Sequence, residues 1–247
     1  MIKSGKGSSY FFVGKLSDNS VNYQVQEAKL TNNFTLEVFL DGIAVWGYTK
    51  KGFDDLKDEI KEILNLLIAA VSFQTKKPLS YFLNNWVEAK EVKATKNIIG
   101  WMMPLFKQIN PKTRKSPINT PWKKAVWFYN NLSKGNNNHS LALKDFHSAI
   151  SDASDDAFLF AYRAVEDICR AINGCDEIED KHWQKMHHDL GTTKKMLDPL
   201  TRVATKVRHG NKNHKSVIQA RSNRYNLLQI SHNVITQELK RTFKKFP

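Results

Sequence analysis

The stretch FTLEVFLDGIAVWGY, residues 34–48, carries the clearest folding signal in the chain. Apolar side chains occupy alternate positions from Phe34 to Leu40, and a second apolar run extends from Ile43 to Tyr48. The dipeptide Asp41-Gly42 lies between the two runs and is typical of the tight turn of a β-hairpin. The stretch therefore predicts two antiparallel strands joined by a short turn.

The residues before this hairpin predict two further strands. Residues 10–16 are aromatic and β-branched, residues 17–20 have turn chemistry, and apolar and polar residues alternate over 21–26. We therefore expect an antiparallel β-meander of about four strands. Residues 79–92 leave open whether a further strand or two follow.

One helix is predicted directly after these strands, from about Asp54 to Gln74. Its apolar residues repeat at helical spacing, namely Leu56, Ile60, Ile63, Leu64, Leu67, Ile68 and Val71. Acidic side chains crowd its first turns and Lys76-Lys77-Pro78 follows its end, which suits the helix dipole and stops the helix. We expect this helix to cover one face of the sheet.

The composition changes between residues 96 and 120, where lysines and prolines are frequent and acidic residues are absent. Such a change is typical of a domain boundary. It predicts a β-rich α+β domain over residues 1–95, a basic, proline-containing linker over 96–120 and a helical bundle over 121–247.

The last of these parts predicts an antiparallel bundle of five or six helices. Asn173-Gly174, Gly191 and Gly210 are stop signals, and Asp198-Pro199 is a start signal. The final helix is predicted as one continuous element from about Lys215 to Phe243, roughly 40 Å long. The predicted fold class is α+β, with an antiparallel β-meander and one covering helix followed by an all-α antiparallel bundle.

The formal net charge of +14 is distributed unevenly. Residues 1–95 hold 12 lysines against 11 acidic residues, whereas residues 181–247 hold 15 basic residues against three acidic ones. A concentrated positive field attracts polyanions, so the charge favours a nucleic-acid partner, RNA in particular. The alternative is that the basic charge only maintains solubility.

The sequence predicts a soluble, cytoplasmic protein without a membrane partner. The longest apolar stretch, residues 60–73, is too short for a membrane span and contains charged residues. No apolar segment follows the basic start of the chain, so no secretory signal is expected. Cys169 and Cys175 are too few for a disulfide scaffold, and Cys169 is expected to be a buried hydrophobe.

Arginine and histidine residues crowd the last helices. A guanidinium binds phosphate in a bidentate way, and an imidazole with a pKa near neutrality moves a proton. Together they can cleave RNA, because the imidazole activates the 2′-hydroxyl or protonates the leaving oxygen while the arginine stabilises charge on phosphorus. The residues concerned are Arg202, Arg208, His209, His214, Arg221 and Arg224.

Several short segments of this region share the pattern of one family. They are Tyr162-Arg163-Ala164-Val165-Glu166-Asp167-Ile168, Trp183 with Met186, Leu190-Gly191 and Val207-Arg208-His209-Gly210. In these segments the chain resembles HEPN-like proteins, the "higher eukaryotes and prokaryotes nucleotide-binding" helical bundles, over roughly residues 140–245. The resemblance implies a metal-independent ribonuclease that acts as a dimer in a toxin or anti-phage system.

The family motif is an arginine followed, after four to six residues, by a histidine. Arg202 with His209 and Arg208 with His214 both fit this spacing, and the choice between the pairs stays open. The family often has a polar residue directly after the arginine, which His209 satisfies and Val203 does not. All four arginines and histidines are therefore candidate catalytic residues.

Neighbouring charged residues are candidates for binding and support. Arg163 and Glu166 either form an ordinary i,i+3 pair or orient the arginine–histidine centre from a neighbouring helix. The candidate nucleic-acid-binding residues are Lys206, Lys212, Lys215, Arg221 and Arg224.

Other interpretations predict no catalysis. Arg208-His209-Gly210 also fits a basic helix end with a glycine cap, and the bundle then is a binding module for nucleic acid or protein. A structural or regulatory dimer through the apolar face of the last helix is a third possibility. His182, His187 and His188 lack the i,i+4 spacing of helical metal ligands, so no metal and no cofactor are expected.

Overall fold

The computed structural model describes residues 8–17, 26–30, 34–39, 42–49, 51, 53–89, 120–132 and 137–243. The chain divides into two compact units, Met1–Ile68 with Leu79–Asn130, and Ala69–Pro78 with Asn131–Pro247. Of the predicted linker over residues 96–120, all but Thr120, which begins a helix, lies outside the described residues, and the predicted domain boundaries stay a prediction.

The first unit contains a five-stranded antiparallel sheet. Its strands are β1 (Ser8–Leu16), β2 (Gln26–Lys29), β3 (Phe34–Phe39), β4 (Gly42–Thr49) and β5 (Tyr81–Ala89), in the order β2-β3-β4-β1-β5. The predicted hairpin is β3–β4, in which Phe39 pairs with Gly42. The strand predicted over residues 21–26 falls mostly outside the described residues. The sequence left open whether one or two strands lie within residues 79–92, and the described residues of this range form the single strand β5.

Helix α1 (Phe53–Thr75) follows β4. Both of its ends lie within two residues of the predicted ends. The predicted apolar residues from Leu56 to Val71 are buried. Tyr81, at the start of β5, donates a hydrogen bond to Asn65 Oδ1 at 3.0 Å and ties the helix to the sheet. The α+β fold class is therefore confirmed.

Gly14 permits the close approach of β1 and β5, whose register shifts between Val13 and Gly14. A Cβ atom at this position would lie 2.6 Å from the carbonyl oxygen of Phe82. We expect Gly14→Ala to lower the free energy of unfolding by about 1–3 kcal/mol, since backbone must move to admit the methyl group. Urea unfolding measures this loss, and Lys29→Ala, at an exposed position of β2, is the control. Equal stability of both variants would contradict the steric argument.

In the part of the chain that the structure describes, seven further helices follow the sheet. They are α2 (Thr120–Leu132), α3 (Asn137–Ser151), α4 (Asp156–Asn173), α5 (Asp180–Leu190), α6 (Lys194–Arg208), α7 (Lys215–Ser222) and α8 (Arg224–Thr242). α4 contacts α3, α5, α6 and α8, and its buried face includes Phe158, Val165 and Ile168. None of the helices in the described part of the chain combines the length and apolar character that crossing a bilayer requires.

Two predicted boundaries in the bundle are wrong. α6 begins at Lys194 rather than at Asp198-Pro199, because Thr193 caps the helix by accepting a hydrogen bond from the Met196 backbone N–H. Pro199 therefore lies inside the helix. The predicted single helix after residue 215 is interrupted at Asn223, which separates α7 from α8.

Candidate nucleic-acid interface

Helix α6 presents the candidate catalytic residues because its opposite face is committed to the core. Leu200, Val203 and Val207 are buried, whereas Arg202, Arg208 and His209 are exposed. His209 ends the helix, and its backbone N–H donates to the carbonyl oxygen of Thr205 at 3.2 Å. Arg202, Arg208 and His209 are therefore positioned by the regular C-terminal end of a helix.

Arg202 and His209 share one exposed face of this helix end. Seven residues bring a helix through almost two turns and about 10.5 Å along its axis. The Arg202 side chain is 76% exposed and contacts Asp198 at 3.4 Å. The His209 ring makes no hydrogen bond to any residue that the structure describes. Both side chains are thus available to the same extended ligand.

Arg208 is anchored on helix α4. Its Nη2 atom lies 3.8 Å from Glu166 Oε1, and its guanidinium carbon lies 5.8 Å from the centre of the Tyr162 ring. Burial raises the pKa of Glu166, and the nearby charge of Arg208 opposes this rise. Arg163 pairs with Asp145 at 3.0 Å, so Glu166 and Arg163 have different partners.

His214 is a helix cap. Its Nδ1 atom accepts a hydrogen bond from the Ser216 backbone N–H at 3.2 Å, at the start of α7. The Oγ atom of the same serine lies 2.8 Å from this nitrogen. The Nδ1 atom of His214 is therefore engaged at the start of α7, which favours a structural role for this residue over that of a general base.

A separate cleft of about 420 Å³ lies beside α7 and collects three predicted nucleic-acid-binding residues. Arg221 binds Asp155 through two hydrogen bonds of 2.9 and 2.7 Å, and Lys212 pairs with Asp156 at 3.0 Å. The hydrogen bond from Arg221 holds the pKa of Asp155 below its ordinary value. Arg224 lines the same cleft. These cations are balanced by local acceptors, and the four candidate catalytic residues do not line the cleft.

The segment from α6 to the start of α7 keeps a strong positive charge. Residues 194–215 contain seven lysines and arginines and a single aspartate. Lys215 is exposed and Lys206 is half-buried. A phosphate backbone near this segment meets a net positive field.

Sequence reasoning missed a row of aromatic rings beside Arg208, formed by Tyr162, Trp183 and His187, which we term the aromatic row. The ring centres of Tyr162 and Trp183 are 6.2 Å apart with planes inclined by 27°, and those of Trp183 and His187 are 6.5 Å apart with planes inclined by 31°. The i,i+4 spacing of Trp183 and His187 on α5 was the available signal.

The remaining histidines have separate partners. His182 Nδ1 accepts from the Glu179 backbone N–H at 3.0 Å, and His187 Nδ1 lies 2.9 Å from Thr192 Oγ1. His232 is half-buried, stacks on Phe73 with ring centres 4.4 Å apart, and has its Nε2 atom 3.2 Å from the carbonyl oxygen of Phe73. Burial, with a contribution from Lys76, lowers the pKa of His232 to about 4. In the described ranges, no three His, Cys, Asp or Glu side chains are grouped to hold a metal ion.

Comparison with known proteins finds similarity for the helical part of the chain. Residues 128–240 match the family described as the C-terminal domain of the domain of unknown function DUF8168. The matched residues include every candidate site residue. No curated protein and no solved structure matches the chain.

Proposed function

We propose that the helical part is a metal-independent endoribonuclease whose site is the exposed end of α6. The observation that carries the proposal is the exposure of Arg202 and His209 at a spacing that places them on one helix face, with Arg208 next to His209 and 3.8 Å from Glu166. The resemblance to HEPN-like proteins supports an arginine–histidine site, and Arg202 and His209 fit its spacing although Val203 departs from the polar residue that often follows the arginine. The same resemblance supports action as a homodimer and a role as an effector of the toxin or anti-phage type.

In this proposal His209 is the general base. It takes the proton of a 2′-hydroxyl, whose oxygen then attacks the adjacent phosphorus and displaces the 5′-oxygen of the next nucleotide. Water protonates the leaving oxygen, so the products are a cyclic phosphate and a free hydroxyl. Arg202 binds the phosphate and stabilises the charge that develops on its oxygens.

The second candidate function is a binding module without catalysis. It is favoured by the role of His214 as a helix cap, because one of the four candidate catalytic residues then has a structural role instead. The exposed cations of residues 194–215 bind a phosphate backbone in both functions.

RNA cleavage in the presence of EDTA tests the proposal. Wild-type protein is expected to cleave single-stranded RNA, and His209→Ala is expected to lose at least about 100-fold in rate, the lower limit for removal of a general base. His214→Ala is expected to retain activity, because its cap affects only the start of α7. His188→Ala, on an 88% exposed side chain of α5, is the matched control.

The outcomes separate the two functions. RNA that is retained in a gel shift at low salt but not cleaved supports the binding module and refutes the ribonuclease. Cleavage that survives His209→Ala refutes the assigned base. A protein that neither cleaves nor binds RNA refutes the ribonuclease and the nucleic-acid-binding module, and leaves a module that binds protein.

A further inference from the structure

The aromatic row lies beside the proposed site without belonging to the apolar core. Phe158 and Met186 are fully buried and fill the core positions of α4 and α5, whereas Tyr162 and Trp183 are only partly buried. The rings are partly exposed and their planes are inclined by 27° and 31°, so part of the aromatic surface is open to solvent. Such surface is suited to a flat ligand.

Arg208 joins this surface to the basic segment. Its guanidinium lies over Tyr162, and its side chain remains 52% exposed. The row therefore has a cation at one end, and this cation belongs to a segment, residues 194–215, that holds six other lysines and arginines. An aromatic surface flanked by phosphate-binding cations is the combination with which proteins hold single-stranded nucleic acid.

We propose that the aromatic row stacks against an unpaired base of bound RNA while Arg208 contacts a neighbouring phosphate. The substrate class is then single-stranded RNA, because a base within a duplex has no free face to offer the rings. This inference rests on the proposed function, since it names the substrate of the same site. Tyr162 and Trp183 act in binding, and the proton transfer stays with His209.

The test uses a short 2′-O-methyl oligoadenylate, which cannot be cleaved, and the same backbone without bases. Fluorescence anisotropy measures the affinity of the full chain for both. Trp183→Leu is expected to weaken binding of the oligoadenylate by roughly 5- to 100-fold, the range that one base–aromatic stack covers. Binding of the base-free backbone is expected to stay unchanged.

Two further variants exclude trivial explanations. Trp183→Phe keeps a stacking ring and is expected to retain most of the affinity, which a merely damaged fold would not allow. Tyr225→Leu, at a 65% exposed position of α8 outside the row, is expected to bind both probes as the wild type does.

An equal effect of Trp183→Leu on both probes, or no effect on either, overturns the stacking proposal. Equal affinity of the wild type for both probes does the same. In these cases cleavage in EDTA still decides the proposed function independently. If the wild type binds neither probe, the RNA-directed function and the stacking proposal fail together.

Discussion

Replacement of Glu238 by glutamine is expected to lower the free energy of unfolding by about 2–4 kcal/mol, because it disrupts a buried charge cluster. The Glu238 side chain is 1% exposed and accepts hydrogen bonds from His139 at 3.0 Å, Arg241 at 2.7 and 3.1 Å, and Thr242 at 2.6 Å. The amide of glutamine has only one oxygen that can accept these hydrogen bonds. Its NH2 group brings two N–H donors to face the donors of His139, Arg241 and Thr242.

Urea unfolding measures this loss. Glu177→Gln, at an exposed position in the α4–α5 connection, is the matched control and is expected to stay within about 0.5 kcal/mol of the wild type. A Glu238→Gln variant as stable as Glu177→Gln would show that the cluster contributes nothing to stability.

The difference between wild type and Glu238→Gln is also expected to depend on pH. Burial favours the neutral acid, but the hydrogen bonds from His139, Arg241 and Thr242 outweigh it and hold the pKa of Glu238 below its ordinary value. The stabilisation is therefore present above the pKa of the unfolded chain and is lost as pH falls through the folded pKa.

The stability difference between wild type and Glu238→Gln is measured, because Asp145 changes stability with pH in the direction opposite to Glu238. Burial raises the pKa of Asp145 to about 6, so this group lowers stability as pH rises from its ordinary pKa to that value. Asp145 is present in both chains, and its contribution cancels. A difference that does not shrink in acid contradicts the assignment to Glu238.

Arg224→Met is expected to cost about 2–3 kcal/mol of stability, since a charged donor then leaves several carbonyl groups without their partner. The Arg224 guanidinium donates to the carbonyl oxygens of Ser154 at 3.0 Å, Ala149 at 2.8 Å and Asp152. These carbonyls lie at and after the end of α3, so one side chain of α8 fixes the α3–α4 connection.

Thermal and urea unfolding measure the effect of Arg224→Met. Arg202→Met is the matched control, because its i,i+4 contact with Asp198 is exposed and worth at most about 0.5 kcal/mol. Comparable losses in the two variants would contradict the structural role of Arg224. Its predicted role in binding RNA stays a prediction.

Local signals predicted much of the fold. The β3–β4 hairpin and α1 follow from alternation, turn chemistry and helical spacing within a few neighbouring residues. The order of strands in the sheet was not predictable in this way, because β1 pairs with partners far along the chain. The start of α6 was missed since two start signals, Thr193 and Asp198-Pro199, compete within one segment.

Prediction of the candidate site was limited in the same way, because contacts between residues far apart in sequence were not predictable. Arg202 and His209 are seven residues apart, a spacing that places both on one helix face, and in the structure both are exposed, on α6 and at its C-cap. The partners of Arg208 and Arg221 are more than 40 residues away in sequence, so Glu166 and Asp155 could not be assigned to them. The aromatic row likewise depends on α4 and α5 lying side by side.

The position of β1 has a consequence for synthesis of the chain. β1 is made first, yet Ser8 pairs with Thr49 and Ser9 with Ala89, about 40 and 80 residues later. At roughly 5–20 residues per second, the ribosome needs several seconds to supply the second partner. Until β4 is made this aromatic strand has no partner, and until β5 is made one edge of β1 is open to pairing with a neighbouring nascent chain. Slower elongation lengthens this interval, whereas a chaperone that binds β1 protects the strand until its partners are made.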